Sequence, residues 1–268
     1  LAWDLEHVEK EREWVMLREP VTADELDWFE ELCGPKGTLV VWSKCDRLLT
    51  KEYEQPGGVQ EQAAIRRLSE RLREHVGLVY YRFLDHSDAR ERNVSIQIDH
   101  ETVQPWNPFF PAKAEQVLPE KLQNLEVEME DGSTEVAHLR AWILPNQRDL
   151  TNDEKKIARI TNRGQGFYIH REGRVIQQGG WLGVFGSVEP HTSLLRVEFD
   201  FSHKLDHAFK VDVKKSRILF DPALEDELKN RLQPTYREAG NRYRRKERAA
   251  AVERGVDHDS ANKVIGNT

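Results

Sequence analysis

The sequence predicts an α+β fold, with helices and strands in different parts of the chain. The 268 residues are enough to bury a sizeable core, and 38% of them are hydrophobic. The middle of the chain is rich in short apolar and alternating segments typical of strands, whereas helical periodicity marks the residues on either side. We therefore expect a strand-rich centre with helices before it and a helical tail after it.

The charge balance and the cysteines narrow the class of protein. Lys and Arg number 40 against 47 Asp and Glu, a net charge of -7 that argues against a dedicated nucleic-acid coat but leaves a local basic face open. Cys33 and Cys45 lack metal-ligand spacing, which indicates free thiols and a cytoplasmic protein. No apolar run approaches transmembrane length, so no membrane partner is expected. The chain begins at Leu1 within patterned sequence, and we expect it to be part of a longer protein.

The N-terminal part alternates predicted strands and helices. Residues 14–17 form a short apolar run that fits a buried strand, although periodicity alone does not exclude a helical turn. Residues 37–42 form a second compact strand. Apolar residues at helical spacing predict helices over 22–32 and over 59–75, and the second has a basic outer face. The Pro-Gly-Gly loop at 55–58 is a candidate domain boundary.

The central part predicts strands joined by tight turns. The strands cover 78–84, 93–99, 122–129, 135–143, 167–170, 174–177 and 194–201. Asp131 and Gly132 both tolerate positive φ, which predicts a hairpin turn between two of these strands. Residues 171–173 provide a similar turn between two others.

The C-terminal part predicts helices. Asp221 is a suitable N-cap and Pro222 a suitable first helical residue, so a helix is expected to begin there. Pro234 is expected to break or kink this helix. A polar, Arg-rich helix resumes at 236–253, and the last dozen residues have a composition typical of disorder.

Four short segments carry the functional information. The first, GTLVVWSKCDRL at 37–48, opens a strand with a Gly-Thr pair. The second, IQIDHETVQPWNPF at 96–109, has the pattern of a strand, a turn and a strand. The third, GQGFYIHREGRVI at 164–176, has the pattern of a hairpin. The fourth, VDVKKSRI at 211–218, places two lysines side by side, a repulsive arrangement that favours an anion opposite them.

In this order the four segments resemble the gyrase, histidine kinase, MutL and chaperone-type (GHKL) ATPase superfamily, in particular its MORC-like and bacterial members. The resemblance covers about residues 1–232. It implies that residues 1–55 are the C-terminal part of a GHKL-type ATPase domain, with a remnant of its sheet. It further implies that 56–232 form a ribosomal-protein-S5-like transducer domain and that 233–268 form a basic helical tail, partly disordered.

The resemblance also implies roles for individual residues. In the family, the hydroxyl at the position of Thr38, which follows Gly37, joins the hydrogen-bond network around the adenine, and a hydroxyl suits that position because it both donates and accepts. A lysine of the fourth segment contacts the terminal phosphate of ATP. This catalytic role falls on Lys215, with Lys214 as its rival.

Other parts of the family's nucleotide site are absent before Gly37. These are a helix with a Glu and Asn pair, an Asp-x-Gly-x-Gly motif and a glycine-rich lid over the phosphates. Without them there is no general base and no backbone cradle for phosphate. The resemblance therefore implies ATP and Mg²⁺ as cofactors of an intact parent protein, and neither cofactor nor activity for this chain alone. The implied partners are the rest of the ATPase domain, a second copy in a homodimer, and a DNA or protein client around which the dimer closes.

Two alternatives stay open. A nucleic-acid-binding module would use the basic helix 59–75 and the tail, independently of any ATPase. A structural or interaction domain without a site is the other. The basic residues of the two segments are Arg66, Arg67, Arg71, Arg73, Arg242, Arg244, Arg245, Lys246 and Arg248.

The remaining patterns indicate no further chemistry. His203 and His207 lack the Glu of a zinc-protease motif and are expected at the surface. His170 and Arg174 of the third segment are expected to be structural or surface residues. The sequence has neither a Gly-x-Ser-x-Gly elbow nor a phosphate-binding Gly-Lys-Ser/Thr loop.

Overall fold

The computed structural model describes residues 1–43, 45, 48–49, 53, 55–129, 131–210 and 218–265, without the side chains of 251 and 253–265. Helices and a mixed sheet are both present, which confirms the α+β fold. Contacts along the backbone divide the chain into two compact units, Leu1–Glu61 and Gln62–Thr268. The ATPase-sheet, transducer and tail assignments, with their boundaries after 55 and 232, stay predictions.

The first unit contains two short helices, α1 (Leu5–Glu11) and α2 (Ala23–Cys33). Helix α2 confirms the helix expected at 22–32. A capping box begins it: the Thr22 hydroxyl accepts from the Glu25 backbone N–H, and the Glu25 carboxylate accepts from the Thr22 N–H at 2.8 Å. None of the described residues of this unit is buried.

Both strands expected in the first unit are wrong. In the stretch 14–17, Leu17 makes a single β-bridge with Ala2, and the other three residues are exposed and in no regular element. Residues 37–42 form no strand, and Val40, Val41 and Trp42 are exposed. A strand needs a neighbouring strand to pair its backbone groups. The described residues of the unit supply none.

The second unit begins in the long helix α3 (Val59–Val79), which confirms the helix expected at 59–75. The short helix α4 (Tyr81–Leu84) follows at once, so the strand expected at 78–84 is wrong. Leu78, Tyr81 and Leu84 recur every three residues and all are buried. A short apolar run is ambiguous because a buried helix and a buried strand share it.

A small hairpin and a short helix lie outside the main sheet. Of the strand expected at 93–99, only β1 (Gln97–Ile98) forms; it pairs with β2 (Glu101–Thr102) across Asp99 and His100, both at positive φ. Helix α5 (Asn152–Ala158) was not expected from the sequence, although a capping box formed by Thr151 and Glu154 begins it.

Among the described residues, the main sheet has six strands and a mixed topology. They are β3 (Glu115–Gln116), β4 (Asn124–Glu128), β5 (Thr134–Ile143), β6 (Gly166–Arg171), β7 (Arg174–Gln178) and β8 (Leu195–Phe201). Their order is β3-β5-β8-β6-β7, with β4 also paired to β5. Of the strand pairs in the described chain, only β6 and β8 run parallel. The strands expected near 122–129, 135–143, 167–170, 174–177 and 194–201 are therefore confirmed, as is the Asp131-Gly132 hairpin.

The two faces of this sheet have opposite chemistry. On one face, Leu195, Val197 and Phe199 of β8 belong to the main hydrophobic core, together with alternate residues of β5 and β6. On the other face, Glu198 of β8 lies between Arg140 of β5 and Tyr168 of β6. The next position along pairs Asp200 with His138 and His170. A charged and aromatic layer thus lies across the centre of the sheet.

The last helix, α6 (Pro222–Ile265), packs against the apolar core. It begins where expected, because the Asp221 carboxylate accepts from the Leu224 N–H at 2.9 Å. The expected break at Pro234 is wrong, since the helix continues through it. Leu232 before the proline and Ala239 after it are both fully buried. Packing on both sides offsets the missing N–H donor.

Candidate functional site

Of the nucleotide-site residues singled out from the sequence, Gly37 and Thr38 belong to the described chain. Gly37 and Thr38 are exposed in irregular chain of the first unit. Lys214 and Lys215 lie outside the described residues. The roles of all four residues as ATP contacts therefore stay predictions.

The described residues on either side of 211–217 are held in the core. Phe209 before it and Ile218 after it are each 2% exposed. The ring of Phe199, on β8, lies 5.2 Å from that of Phe209 and 5.8 Å from that of Phe220. Both flanks of the lysine-bearing stretch are thus fixed to the same strand.

The most unusual chemistry of the described chain is a buried charged cluster, defined here as Arg82, Arg90, Arg140, Glu198 and Asp200. The guanidinium of Arg82 bridges two carboxylates: its Nη2 lies 2.6 Å from Glu198 Oε1 and its Nη1 lies 2.7 Å from Asp200 Oδ2. The side chains of Arg82 and Glu198 are 1% and 4% exposed. Charges this deep are stable only when paired and hydrogen-bonded.

Glu198 is the centre of the buried charged cluster. Besides Arg82, it accepts from Arg90 Nη1 at 2.9 Å and from Trp142 Nε1 at 3.4 Å. Burial opposes its ionisation, yet the surrounding positive charges, Arg82 and Arg90 among them, outweigh burial and lower the pKa of this carboxyl. Glu198 is therefore ionised throughout the physiological range.

Two aromatic residues beside the buried charged cluster have strongly shifted pKa values. Burial, reinforced by the negative charge of Glu198, raises the pKa of Tyr81 to about 12. Burial and the neighbouring Arg82 lower the pKa of His170 to about 3. The ring of His170 lies 5.6 Å from Tyr81 and 6.0 Å from Phe109, and neither of its nitrogens has a hydrogen-bond partner. His170 is therefore a neutral buried residue and not a surface residue.

A second buried arginine joins two of the four sequence segments. Arg196 donates to the carbonyl oxygens of Pro108, in the second segment, and of Gly164, in the third. It also donates to the carbonyls of Ala158 and Arg159 at 2.8 and 2.9 Å, where helix α5 ends. A helix C-terminus favours a cation, so Arg196 needs no carboxylate partner. Its role is to hold these loops together.

The buried charged cluster opens to the surface through a cleft of about 230 Å³. The cleft lies over the polar face of β5 and β8 and beside the Arg90–Glu91 segment. Its lining consists entirely of charged or imidazole side chains, namely Arg82, Arg90, Glu91, His138, Arg140, Glu198 and Asp200.

The comparisons with known proteins assign neither a family nor a function to this chain. No protein-family model matches the chain, and neither does any curated protein. In the part of the chain that the structure describes, no three His, Cys, Asp or Glu side chains are grouped to hold a metal ion. No helix among the described residues is long and apolar enough to cross a membrane.

Sequence reasoning missed the buried charged cluster. Arg196, Glu198 and Asp200 alternate with apolar residues along β8, a pattern that usually marks a solvent-facing side of a strand. Here segments from outside the sheet cover that side. Nothing in the local sequence around Arg82 indicated an ion pair more than 100 residues away along the chain.

Proposed function

We propose that this chain is the transducer portion of an ATP-dependent protein of the GHKL type. It couples the nucleotide state of the ATPase domain to the closure of a homodimer around a DNA or protein client. Lys215 contacts the terminal phosphate of ATP, Lys214 is the neighbouring alternative, and Gly37 and Thr38 belong to the adenine side of the site. The four segments, in family order, support this assignment.

The single observation that carries the proposal is the anchoring of both flanks of 211–217. A phosphate sensor that moves a domain needs a firm base, because a contact on a loose chain would displace only the lysine. Phe209 and Phe220 both pack against Phe199 on β8, the strand paired with both β5 and β6. A force on the lysines is thereby delivered to the sheet.

The exposed apolar surface of the first unit supports the proposal that the rest of the ATPase domain is a partner. The side chains of Trp3, Trp14, Trp28 and Trp42 are 66, 77, 45 and 84% exposed, and helix α2 has no buried residue. Exposed apolar surface of this extent is typical of an interaction surface. We assign it to the rest of the ATPase domain in the same parent chain, in the cytoplasm. ATP and Mg²⁺ bind there, and this chain alone has no cofactor and no activity.

The test uses a parent protein that contains the remaining ATPase motifs. Lys215→Ala is expected to lower ATP turnover at least tenfold, because removing a charge-assisted contact to phosphate weakens transition-state stabilisation by more than about 1.4 kcal/mol. Lys204→Ala is the matched control, since Lys204 is an exposed lysine paired with Glu135 at 2.6 Å. Unchanged turnover in both Lys214→Ala and Lys215→Ala would refute the sensor role.

Nucleic-acid binding is the second candidate, and one observation favours it. Arg66, Arg67 and Arg71 on helix α3 are exposed and have no ion pair within the described chain. The tail is less suited to phosphate, because Arg242 pairs with Glu115 and Lys246 pairs with Asp149, each at 2.6 Å.

Salt dependence separates this candidate from the first. If helix α3 binds duplex DNA, replacing its three free arginines with Gln should weaken binding and make the logarithmic salt slope about three smaller in magnitude. Arg242→Gln serves as the control, because this arginine is already neutralised by an acidic partner. Binding that is absent, or equally strong in the triple variant, would contradict a DNA-binding role for α3.

A further inference from the structure

Two charged groups that line the cleft, Arg140 and Glu91, make no hydrogen bond to its other charged groups among the described residues. Most of its lining is satisfied internally. Arg82 bonds to Glu198 and Asp200, and Arg90 bonds to Asp88 and Glu198. These groups are already paired with one another and offer a ligand little.

Arg140, a member of the cluster, is the first of these groups, and it contacts Glu198 only through a long ion pair. Its guanidinium approaches no carboxylate oxygen more closely than 3.7 Å, beyond hydrogen-bond distance, and 42% of the side chain is exposed. A guanidinium presents five N–H donors in a planar fork that matches a carboxylate. Beside it on β5, His138 uses only Nδ1, which contacts Asn124 Oδ1 at 3.0 Å.

Glu91 is the second of these groups. Among the described residues it has neither a hydrogen bond nor an ion pair, although it lines the cleft. Its carboxylate lies against the β6–β7 turn, so close to Gly173 that a Cβ there would approach Glu91 Oε1 to 2.0 Å. Burial raises the pKa of Glu91, and this desolvated carboxyl would gain from a cationic partner.

Arg140 and Glu91 are held apart by the sheet. Arg140 lies on β5 and Glu91 lies at the end of β6, with β8 between those strands. Two spacings between strands separate the backbone of β5 from that of β6 by about 10 Å. Both side chains line the same cleft, and no ion pair joins them among the described residues, so a molecule with opposite charges at its ends would satisfy both.

We propose that this cleft binds a compact zwitterion, with its carboxylate against Arg140 and its amine against Glu91. The volume limits the ligand, because about 230 Å³ is below the range of roughly 300–1,000 Å³ that is typical of sites for drug-sized molecules. Amino acids and other short amino carboxylic acids belong to this class.

A series of unbranched amino acids of increasing length tests the distance between the charged groups of Arg140 and Glu91. Calorimetric titration of the full chain with glycine, β-alanine, γ-aminobutyrate and ε-aminohexanoate should reveal one length that binds best. Arg140→Gln and Glu91→Gln should each weaken that binding about ten- to hundredfold, the effect of losing one charge-assisted hydrogen bond or pair. Arg163→Gln, which changes an exposed arginine outside the cleft, should leave it unchanged.

Three results would overturn the proposal. They are the absence of binding by all four probes, equal affinity in the wild type and both cleft variants, and equally tight binding of acetate or methylamine, which carry only one of the two charges. Arg140 and Glu91 lie at the rim of the cleft, so both Gln variants should fold. Circular dichroism checks this, and Arg140→Lys, which keeps the charge, should recover part of the affinity.

Discussion

Arg82 and Glu198 form a buried ion pair that joins helix α4 to the central strand β8. The 2.6 Å contact lies in the core, at the point where Asp200 and Arg90 extend the pair into a network. The pair therefore orders two segments that are distant in sequence. Its energetic importance lies in what remains if one partner is removed, because the other charge then stays buried.

Replacing Arg82 is expected to destabilise the chain strongly. Arg82→Met should lower the free energy of unfolding by about 3–5 kcal/mol, since Glu198 loses its closest cation. The control is Arg148→Met, because Arg148 makes an exposed pair with Glu247 at 3.1 Å and should contribute at most about 1 kcal/mol. Urea denaturation measures both, and equal effects would show that burial does not decide the strength of these pairs.

Because of the buried His170, we expect the folded chain to lose stability in acid. Its pKa is about 3 when folded against an ordinary value of 6.5, so between these values the unfolded chain binds a proton that the folded chain does not. Lowering the pH therefore favours unfolding, by up to about 1.4 kcal/mol per pH unit. His170→Leu removes this group, and other titrating groups cancel in the comparison. The stability difference between variant and wild type should thus grow in favour of the variant below pH 6.5. A difference that is constant with pH would refute the shift.

Two glycines with positive φ should differ sharply in their tolerance of alanine. At Gly166, φ is 100° and a Cβ would lie 2.1 Å from the carbonyl oxygen of Gly180. At Gly132, φ is 79° but nothing lies within 4 Å of that position. Gly132→Ala should cost about 1 kcal/mol from backbone strain alone, whereas Gly166→Ala adds a backbone clash and should cost more than about 3 kcal/mol. Thermal unfolding of the two variants measures this, and equal losses would contradict the close approach.

Pro234 lies inside helix α6, where it removes one backbone hydrogen bond. Pro234→Ala should restore the donor and relieve the ring contact with the preceding turn, which raises the free energy of unfolding by about 1–3 kcal/mol. Urea denaturation followed by far-ultraviolet circular dichroism checks this. A loss of stability would mean that the proline favours a bend on which the packing of Leu232 and Ala239 depends.

Local chemistry in the sequence was enough to predict several elements. The Asp131-Gly132 turn, the β6–β7 hairpin, helix α2 and the start of α6 at Asp221 each depend on residues close together in the chain. Turn and capping preferences act within four residues, so they are visible without a fold. The same signals gave the order of strands β4 to β8 in the second unit.

Only the tertiary structure decided which segments cover each face of the main sheet. The periodicity of β8 separates Glu198 from Val197, but it does not say that Arg82 will cover Glu198. The apolar run at 78–84 became helical, and α6 continued through Pro234, because partners from other parts of the chain were available. Along the strands of the main sheet, the sequence by itself therefore determined which residues share a face. Burial, the ion pairs and the cleft depend on contacts between distant segments, and only the folded chain brings those segments together.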